Sequence, residues 1–274
     1  MQMSTHEDGQ FKHHTFVMKC GGSTLAALPI QFFEDLKELQ DAGITPVIVH
    51  GGGPAISEML DRLQIPTEFI NGLRKTDEAT LDVVEAVLSG QINKQIVRRI
   101  QQVGAKALGL SGVDGQLIEA KPVTNADQVG FVGDVTAVQA EIVNGVVGMG
   151  YIPVIAPIGI SEDSTQRFNI NADTAAGAVA SHIGASQMIV VTDVPGIMRT
   201  VDGVKQVQAF VTVAEIEQMI ATGEIYGGMI PKVTAAIQCI QGDVKEVVIV
   251  HGEEPKVLSR VLQGEAIGTR IKLA

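Results

Sequence analysis

Apolar residues follow two rhythms along this 274-residue chain. Short runs that are apolar at nearly every position, His14–Lys19, Thr45–His50, Lys106–Leu110, Ile152–Pro157, Gln187–Thr192 and Glu246–His251, predict strands buried on both faces, because a half-exposed strand would alternate. Between them, helical periodicity covers Ile30–Asp41, Ala55–Leu63, Asp77–Gln102, Ala172–Ile183, Val213–Ala221 and Lys232–Gln241. That alternation predicts an α/β fold with a largely parallel sheet, whose ligands gather beyond the carboxyl ends of the strands. Asp77–Gln102 is the longest predicted helix, and Leu81, Val84, Leu88, Ile92, Ile96 and Ile100 form a stripe on it that reads as core-facing. Asp114-Gly115 and Asp202-Gly203 are hairpin signals that suggest small β excursions beside the sheet.

The run Val47–Val49 gives way at His50 to Gly51, Gly52, Gly53 and Pro54. A buried strand here feeds a helix N-terminus through glycines that let the backbone approach a ligand, and Pro54 suits a first turn whose N–H would be unpaired anyway. Such a turn is an anion site, most naturally for phosphate or carboxylate.

Composition narrows the choice of partners. An apolar share of 45% supplies a sizeable core, while Lys+Arg 20 against Asp+Glu 31 gives a net charge of -11. That balance argues against nucleic acid and leaves any phosphate to a few placed groups. The opening MQMSTHEDGQFKHH has no apolar core and no later run reaches spanning length, so no membrane partner and a cytoplasmic location are expected. Cys20 and Cys239 are too few and too far apart for a disulfide framework, and no histidine stands at ligand spacing with them.

Four stretches carry candidate chemistry. Lys19 precedes a second glycine turn, Gly21-Gly22, and can neutralise phosphate charge. Asn169, Asn171 and Asp173 lead into an Ala-rich helix; they share a face if extended, while Asp173 fits equally in a first helical turn. Plain capping accounts for one of these three and not for all. Thr192-Asp193-Val194-Pro195-Gly196 ends a strand in turn chemistry, and Gly227-Gly228-Met229-Ile230-Pro231 enters a helix with Lys232 at its start. A lysine there opposes the helix dipole, which an anionic ligand would explain. No G-x-x-x-x-G-K-[ST], spaced G-x-G-x-x-G, H-R-D with D-F-G, or G-x-S-x-G is present. These absences leave out P-loop enzymes and protein kinases. Two glycine turns, two lysines and an acidic organiser suit phosphoryl transfer by positioning and charge stabilisation.

Read in order, MKCGGST, VIVHGGGP, FINGLRKTD, ALGLSGVDG, GFVGDV, IPVIAPIG, FNINADTAAGAVA, TDVPGI and GGMIPKV resemble the amino acid kinase family, with NGLR and NINAD pointing to its acetylglutamate branch. The resemblance implies a three-layer αβα sandwich with a mainly parallel central sheet, carbamate kinase-like, in which residues 1–184 hold the acid and 185–274 hold ATP. It implies transfer of the ATP γ-phosphoryl group to the side-chain carboxylate of N-acetyl-L-glutamate, giving an acyl phosphate and ADP in arginine biosynthesis. Lys19 and Lys232 would flank the moving phosphoryl group and Asp173 would hold both ammonium groups. Gly21, Gly22, Gly51, Gly52 and Gly53 would cradle it with N–H groups, with Mg2+ bridging the ATP phosphates. Arg74 would grip a substrate carboxylate and Asn169 would position the same substrate, while Thr192 and Asp193 would join Lys232 in the nucleotide pocket. An ionised carboxylate needs no general base, so His50 reads as structural.

The long helix resembles the one that pairs subunits in the family, implying a homodimer. Ser57 stands where the pattern has Asn, and the 18 residues before Lys19 are too few and too polar for the N-terminal helix of arginine-inhibited members. Two other readings are a sibling kinase for an N-acylated aminoadipate or another small acid, and a non-catalytic sensor on the same scaffold. The presence of Lys19, Asp173 and Lys232 together argues against a sensor.

Overall fold

Strands that are apolar on both faces must be covered on both faces, and this chain does so with helices above and below one sheet. The structure, a computed structural model, describes residues 15–21, 28–201, 204–242 and 244–273. The described chain begins with β1 (Thr15–Cys20), crosses through α1 (Ile30–Asp41) to β2 (Thr45–His50), and enters α2 (Gly53–Arg62) from the glycine turn. A short hairpin, β3 (Phe69–Ile70) and β4 (Leu73–Arg74), precedes a long helix in three parts: α3 (Glu78–Glu85), a π-helical segment (Ala86–Ile92) and α4 (Asn93–Gln102). The middle of the chain holds β5 (Ala107–Ser111), β6 (Ile118–Pro122), α5 (Ala126–Val129), β7 (Val132–Val138), α6 (Ala140–Gly148), β8 (Ile152–Ala156), β9 (Ile158–Ile160) and β10 (Arg167–Ile170). It continues through α7 (Ala172–His182), β11 (Gln187–Thr192), β12 (Met198–Val201), β13 (Val204–Val207), β14 (Phe210–Thr212) and α8 (Val213–Ala221). The last elements are α9 (Met229–Gln241), β15 (Glu246–His251), α10 (Val257–Leu262) and β16 (Thr269–Lys272).

The central sheet has the order β14-β16-β15-β11-β1-β2-β8-β5, and each neighbouring pair is parallel except β15 with β16. This is the expected αβα sandwich. The period-two alternation along each strand sorts the core into two halves. Phe16, Met18 and Cys20 pack with Ile48, Ile189 and Val191 under α1 and the long helix, whereas Val17, Val47, Val49 and Val190 meet α7 and α9 on the other face. From β1 the chain moves to β2 on one side, and from β11 to β15 on the other. The strand order therefore reverses between β1 and β11, and the crevice beyond their carboxyl ends is where an open α/β sheet binds ligands.

The long helix departs from one regular helix for a reason its sequence carries. Val84, Leu88, Ile92, Ile96 and Ile100 recur every four residues, and at about 100° per residue each step overshoots a full turn by about 40°. A regular helix would carry that stripe out of the core. The π-helical segment adds a residue to the turn and brings it back, so that all six stripe residues, Leu81 included, are buried.

The two hairpin signals have different outcomes. Val201 faces Val204 across the antiparallel pair β12–β13, as a two-residue hairpin requires, while Asp202 and Gly203 lie outside the described residues. Asp114-Gly115 joins no hairpin. It forms a 3₁₀ turn closed by the Asp114 carboxylate, which accepts the Ser111 N–H at 2.8 Å, and it leads from β5 in the main sheet to β6 in a small closed barrel of β6, β7, β10 and β9.

Asp35 of α1, buried, ties the two ends of the chain together. Its carboxylate accepts the Leu258 N–H at 2.9 Å, the Ser259 N–H at 3.3 Å and the Ser259 hydroxyl, capping α10, whose own N-cap residue Lys256 makes no side-chain cap. Asp35→Ala is expected to lower unfolding stability by about 3 kcal/mol in urea titrations at constant m, because orphaned helix N–H groups stay buried. Glu38→Ala, which breaks the exposed Lys256–Glu38 pair, should change it by less than about 1 kcal/mol.

Candidate active site

β1 carries Lys19 on the same side as Val17, towards α7. The residue is 6% exposed, and its Nζ lies 2.7 Å from Oδ1 of Asp173 in the first turn of that helix. Asn171 is the residue that caps: its Oδ1 accepts the N–H groups of Asp173 at 2.8 Å and Thr174 at 3.3 Å. Capping by Asn171 frees Asp173 to face the lysine and Asn169 to face the cleft. Of the two placements the sequence allows for Asp173, the helical one is observed.

A cleft of about 240 Å³ opens here, bringing together Lys19, Gly21, Gly51, Gly52, Gly53, Arg74, Asn169 and Asp173. Gly22 lies outside the described residues. The glycine turn contributes less N–H capacity than the sequence suggests, because Gly51 donates its own to Cys20 O at 3.0 Å. The N–H groups of Gly52 and Gly53 have no partner among the described residues. They sit at the positive end of α2, and the helix starts at Gly53 with Pro54 in its first turn.

Arg74 is 7% exposed and forms no ion pair among the described residues. Nη2 donates to Gly53 O at 3.1 Å and to Ser57 Oγ at 2.8 Å, and the guanidinium stacks 4.7 Å from the Phe69 ring centre. Burial pulls its pKa below the usual guanidinium value. Ser57 thus has a role that its type does not announce, one turn into α2 and aimed at the arginine, and Phe69 supplies a second surface for it. Asn169 is oriented through Thr76, whose hydroxyl donates to Arg74 O at 2.7 Å and so can only accept from Asn169 Nδ2 at 3.2 Å. With Lys19 and Arg74 positive and Asp173 negative, the charged side chains of the cleft sum to 2 − 1 = +1, before the helix N-termini add to the field.

Thr192, Asp193 and Lys232 do not line this cleft. Thr192 ends β11, beside β1, with its hydroxyl committed to the turn: it lies 2.8 Å from Val194 O and 3.1 Å from Val194 N. Asp193 is exposed. Lys232, half-buried, stands in the first turn of α9 and has no ion pair among the described residues. Gly177 of α7 abuts Cys239 of α9, and Ser181 donates to Gly242 O, so the two helices run side by side in the same direction. The N-termini bearing Asp173 and Lys232 therefore face the same end of the sheet.

His50 and Asn93 are both fully buried behind the glycine turn. His50 Nδ1 lies 3.1 Å from Gly51 O and its Nε2 lies 3.2 Å from Asn93 Nδ2, which also reaches Val154 O at 2.8 Å. Burial, with Lys94 nearby, pushes the imidazole pKa down to about 4 despite the bond to Gly51. Burial likewise pushes the Cys20 thiol up to about 12, so neither group is poised for acid–base or nucleophilic work near pH 7. Among the described residues no group of His, Cys, Asp and Glu could hold a metal ion, and no helix is long and apolar enough to cross a membrane.

The model for the amino acid kinase family matches residues 14–251. An acetylglutamate kinase of Brevibacillus brevis is 48% identical over 258 residues, covering 94% of this chain and 96% of that protein. The solved structure of smu.665 from Streptococcus mutans UA159 superposes with a TM-score of 0.83 at 30% identity, covering 95% of this chain and 99% of that one. Carbamate kinase from Giardia lamblia bound to AMP-PNP shares the fold, with a TM-score of 0.70 at 15% identity over 95% of this chain and 99% of that one.

The buried imidazole generates a stability prediction. Below pH 6.5 the unfolded chain binds a proton that the folded chain refuses down to about 4, so stability should fall as pH drops through that window. A span of this size corresponds to about 3 kcal/mol. Urea titrations at pH 7 and pH 4.5 should show His50→Gln losing less stability on acidification than the native chain; an equal loss in both would contradict the assignment.

Proposed function

The chain belongs to the amino acid kinase family, and from that premise we propose that it transfers the γ-phosphoryl group of ATP to the side-chain carboxylate of N-acetyl-L-glutamate. The observation that carries this reading is a pair of buried cations in one cleft, Lys19 held by Asp173 and Arg74 without any anionic protein partner among the described residues. A buried guanidinium that stays charged calls for an anion from outside, and its planar fork suits a carboxylate.

In the proposed reaction a carboxylate oxygen attacks the γ-phosphorus, the bond to the β,γ-bridging oxygen breaks, and ADP leaves with that electron pair. The acyl phosphate formed is an intermediate of arginine biosynthesis. No proton moves, so the reaction asks for no general base. Lys19 and the Gly21, Gly52 and Gly53 backbone would meet the charge on the phosphoryl oxygens, Arg74 and Asn169 would hold the acid, and Lys232 would neutralise charge from the nucleotide side, where Thr192 and Asp193 would line the nucleotide pocket. Asp173 would fix Lys19. The cleft presents cations and N–H donors, which suit phosphate oxygens and not a metal ion, so Mg2+ would enter with ATP and supply charge neutralisation there, and no protein ligand is assigned to it.

The division at residues 184 and 185 falls between β1 and β11, so the acid would bind over the half-sheet β1-β2-β8-β5 and ATP over the half-sheet β11-β15-β16-β14. We place the reaction in the cytoplasm, where ATP is supplied. The homodimer is assigned to the outer face of the long helix, because the apolar stripe on its inner face is consumed by the chain's own core.

Acyl phosphate trapped by hydroxylamine, over a panel of N-acetylglutamate, glutamate, aspartate and N-acetyl-aminoadipate, tests the reading. Turnover confined to N-acetylglutamate is the expected result; preference for another acid would overturn the substrate, and ATP binding without turnover of any acid would overturn the activity. Lys19→Ala and Lys232→Ala should each lower kcat by roughly 10²-fold or more, whereas Arg74→Ala should act mainly by raising KM for the acid. Steady-state kinetics on the three variants separates these outcomes.

A further inference from the structure

The buried pair His50 and Asn93 contacts no position where substrate would sit, yet it is joined to the cleft through one peptide. An amide nitrogen carries hydrogens and no acceptor, so Asn93 Nδ2 at 3.2 Å obliges His50 Nε2 to accept. The ring proton then resides on Nδ1, which donates to Gly51 O at 3.1 Å. Gly51 is held at its other end too, since its N–H bonds to Cys20 O at 3.0 Å. In a planar trans peptide the C=O of one residue and the N–H of the next point in opposite directions. Drawing the Gly51 carbonyl back towards the ring therefore turns the Gly52 N–H away from it and into the cleft. Side-chain ends of Ile92 and Leu88, both in the π-helical segment, occupy the place where a Cβ on Gly52 would be, so the glycine is pressed into that orientation from behind.

We infer that His50, with its tautomer set by Asn93, is a positioning residue for the reaction: it aims the Gly52 N–H at the phosphoryl group being transferred. This rests on the reading of the cleft as a phosphoryl-transfer site. Asn93 anchors the relay to the sheet through Val154 O at 2.8 Å, while Leu110 O at 3.2 Å shares its second amide hydrogen with His50 Nε2, which gives the π-helical segment just before it a second consequence beyond packing. The relay makes the glycine turn stiff in the one direction that matters for an N–H donor, and a donor fixed before the reaction needs no reorganisation as charge develops.

The test compares the native enzyme with His50→Leu and His50→Asn in the acyl-phosphate assay, with active sites counted by ATP-binding titration, and reads the native imidazole by 15N NMR. His50→Leu fills the volume without a donor and should lower kcat about 10²-fold while KM values move by less than about threefold. His50→Asn can place its amide nitrogen near the position of ring Nδ1 and should recover roughly tenfold of that loss, although it gives up the bond to Asn93. Unchanged kcat in His50→Leu, or equal losses in the two variants, would overturn the proposal. If the native enzyme makes no acyl phosphate, the substrate reading fails by itself, and the spectrum decides the relay, as it also does if His50→Leu does not fold. A neutral ring protonated on Nδ1 supports it, and a ring protonated on Nε2 overturns it.

Discussion

The cleft is arranged around one buried ion pair, Lys19 at the end of β1 with Asp173 at the start of α7. Taking two charges out of water costs several kcal/mol per ion, and an apolar pair of the same volume would commonly serve stability as well or better. The surroundings offset that cost without removing it: the contact is 2.7 Å, and the carboxylate sits in the first turn of a helix whose N–H groups are already shared with Asn171. In a strand whose other inward positions are Phe16, Val17, Met18 and Cys20, the lysine is the one residue that packing does not ask for. Its retention is explained by an anion that the pair meets in the cleft.

The same logic extends to Arg74. Its hydrogen bonds to Gly53 O and Ser57 Oγ and its contact with Phe69 fix the direction of the guanidinium, and no anionic partner compensates its charge among the described residues. The two cations approach the crevice from different elements, one from β1 and one from β4, while the positive ends of α2 and α7 converge on it. Parallel topology enforces that convergence, since each crossover helix must return to the start of the next strand. Reversal of strand order between β1 and β11 then opens the crevice at the place where Lys19 leaves the sheet.

Much of this was legible in the order of residues because continuous burial writes itself as continuous apolarity. The strands Thr45–His50, Gln187–Thr192 and Glu246–His251 and the helices Ile30–Asp41 and Val213–Ala221 carry the predicted bounds. The small barrel of β6, β7, β9 and β10 was not legible, since its strands are short and mix Glu119, Lys121 and Asp134 among apolar residues. The π-helical segment was legible in principle, from a fourfold spacing that a regular helix cannot keep on one face, but periodicity alone names only a helix. At the site, Lys19, the glycines, Arg74, Asn169 and Asp173 stood out because their types conflict with their local setting, whereas Ser57, Phe69, Thr76 and Asn93 serve through partners distant in sequence and have no local signature. Lys232 and Asp193 lie off the cleft that Lys19 lines.

Whether Lys19 and Asp173 act as one unit is the question on which the account stands, and a double-mutant cycle on kcat answers it directly. Lys19→Ala, Asp173→Ala and the double variant would be assayed for acyl-phosphate formation at saturating ATP and N-acetylglutamate, with folded protein quantified for each. The account predicts a double variant about as impaired as the worse single one, because either change already dismantles the pair. Losses that multiply, so that two defects of roughly 10²-fold become roughly 10⁴-fold, would show two independent contributions and contradict it.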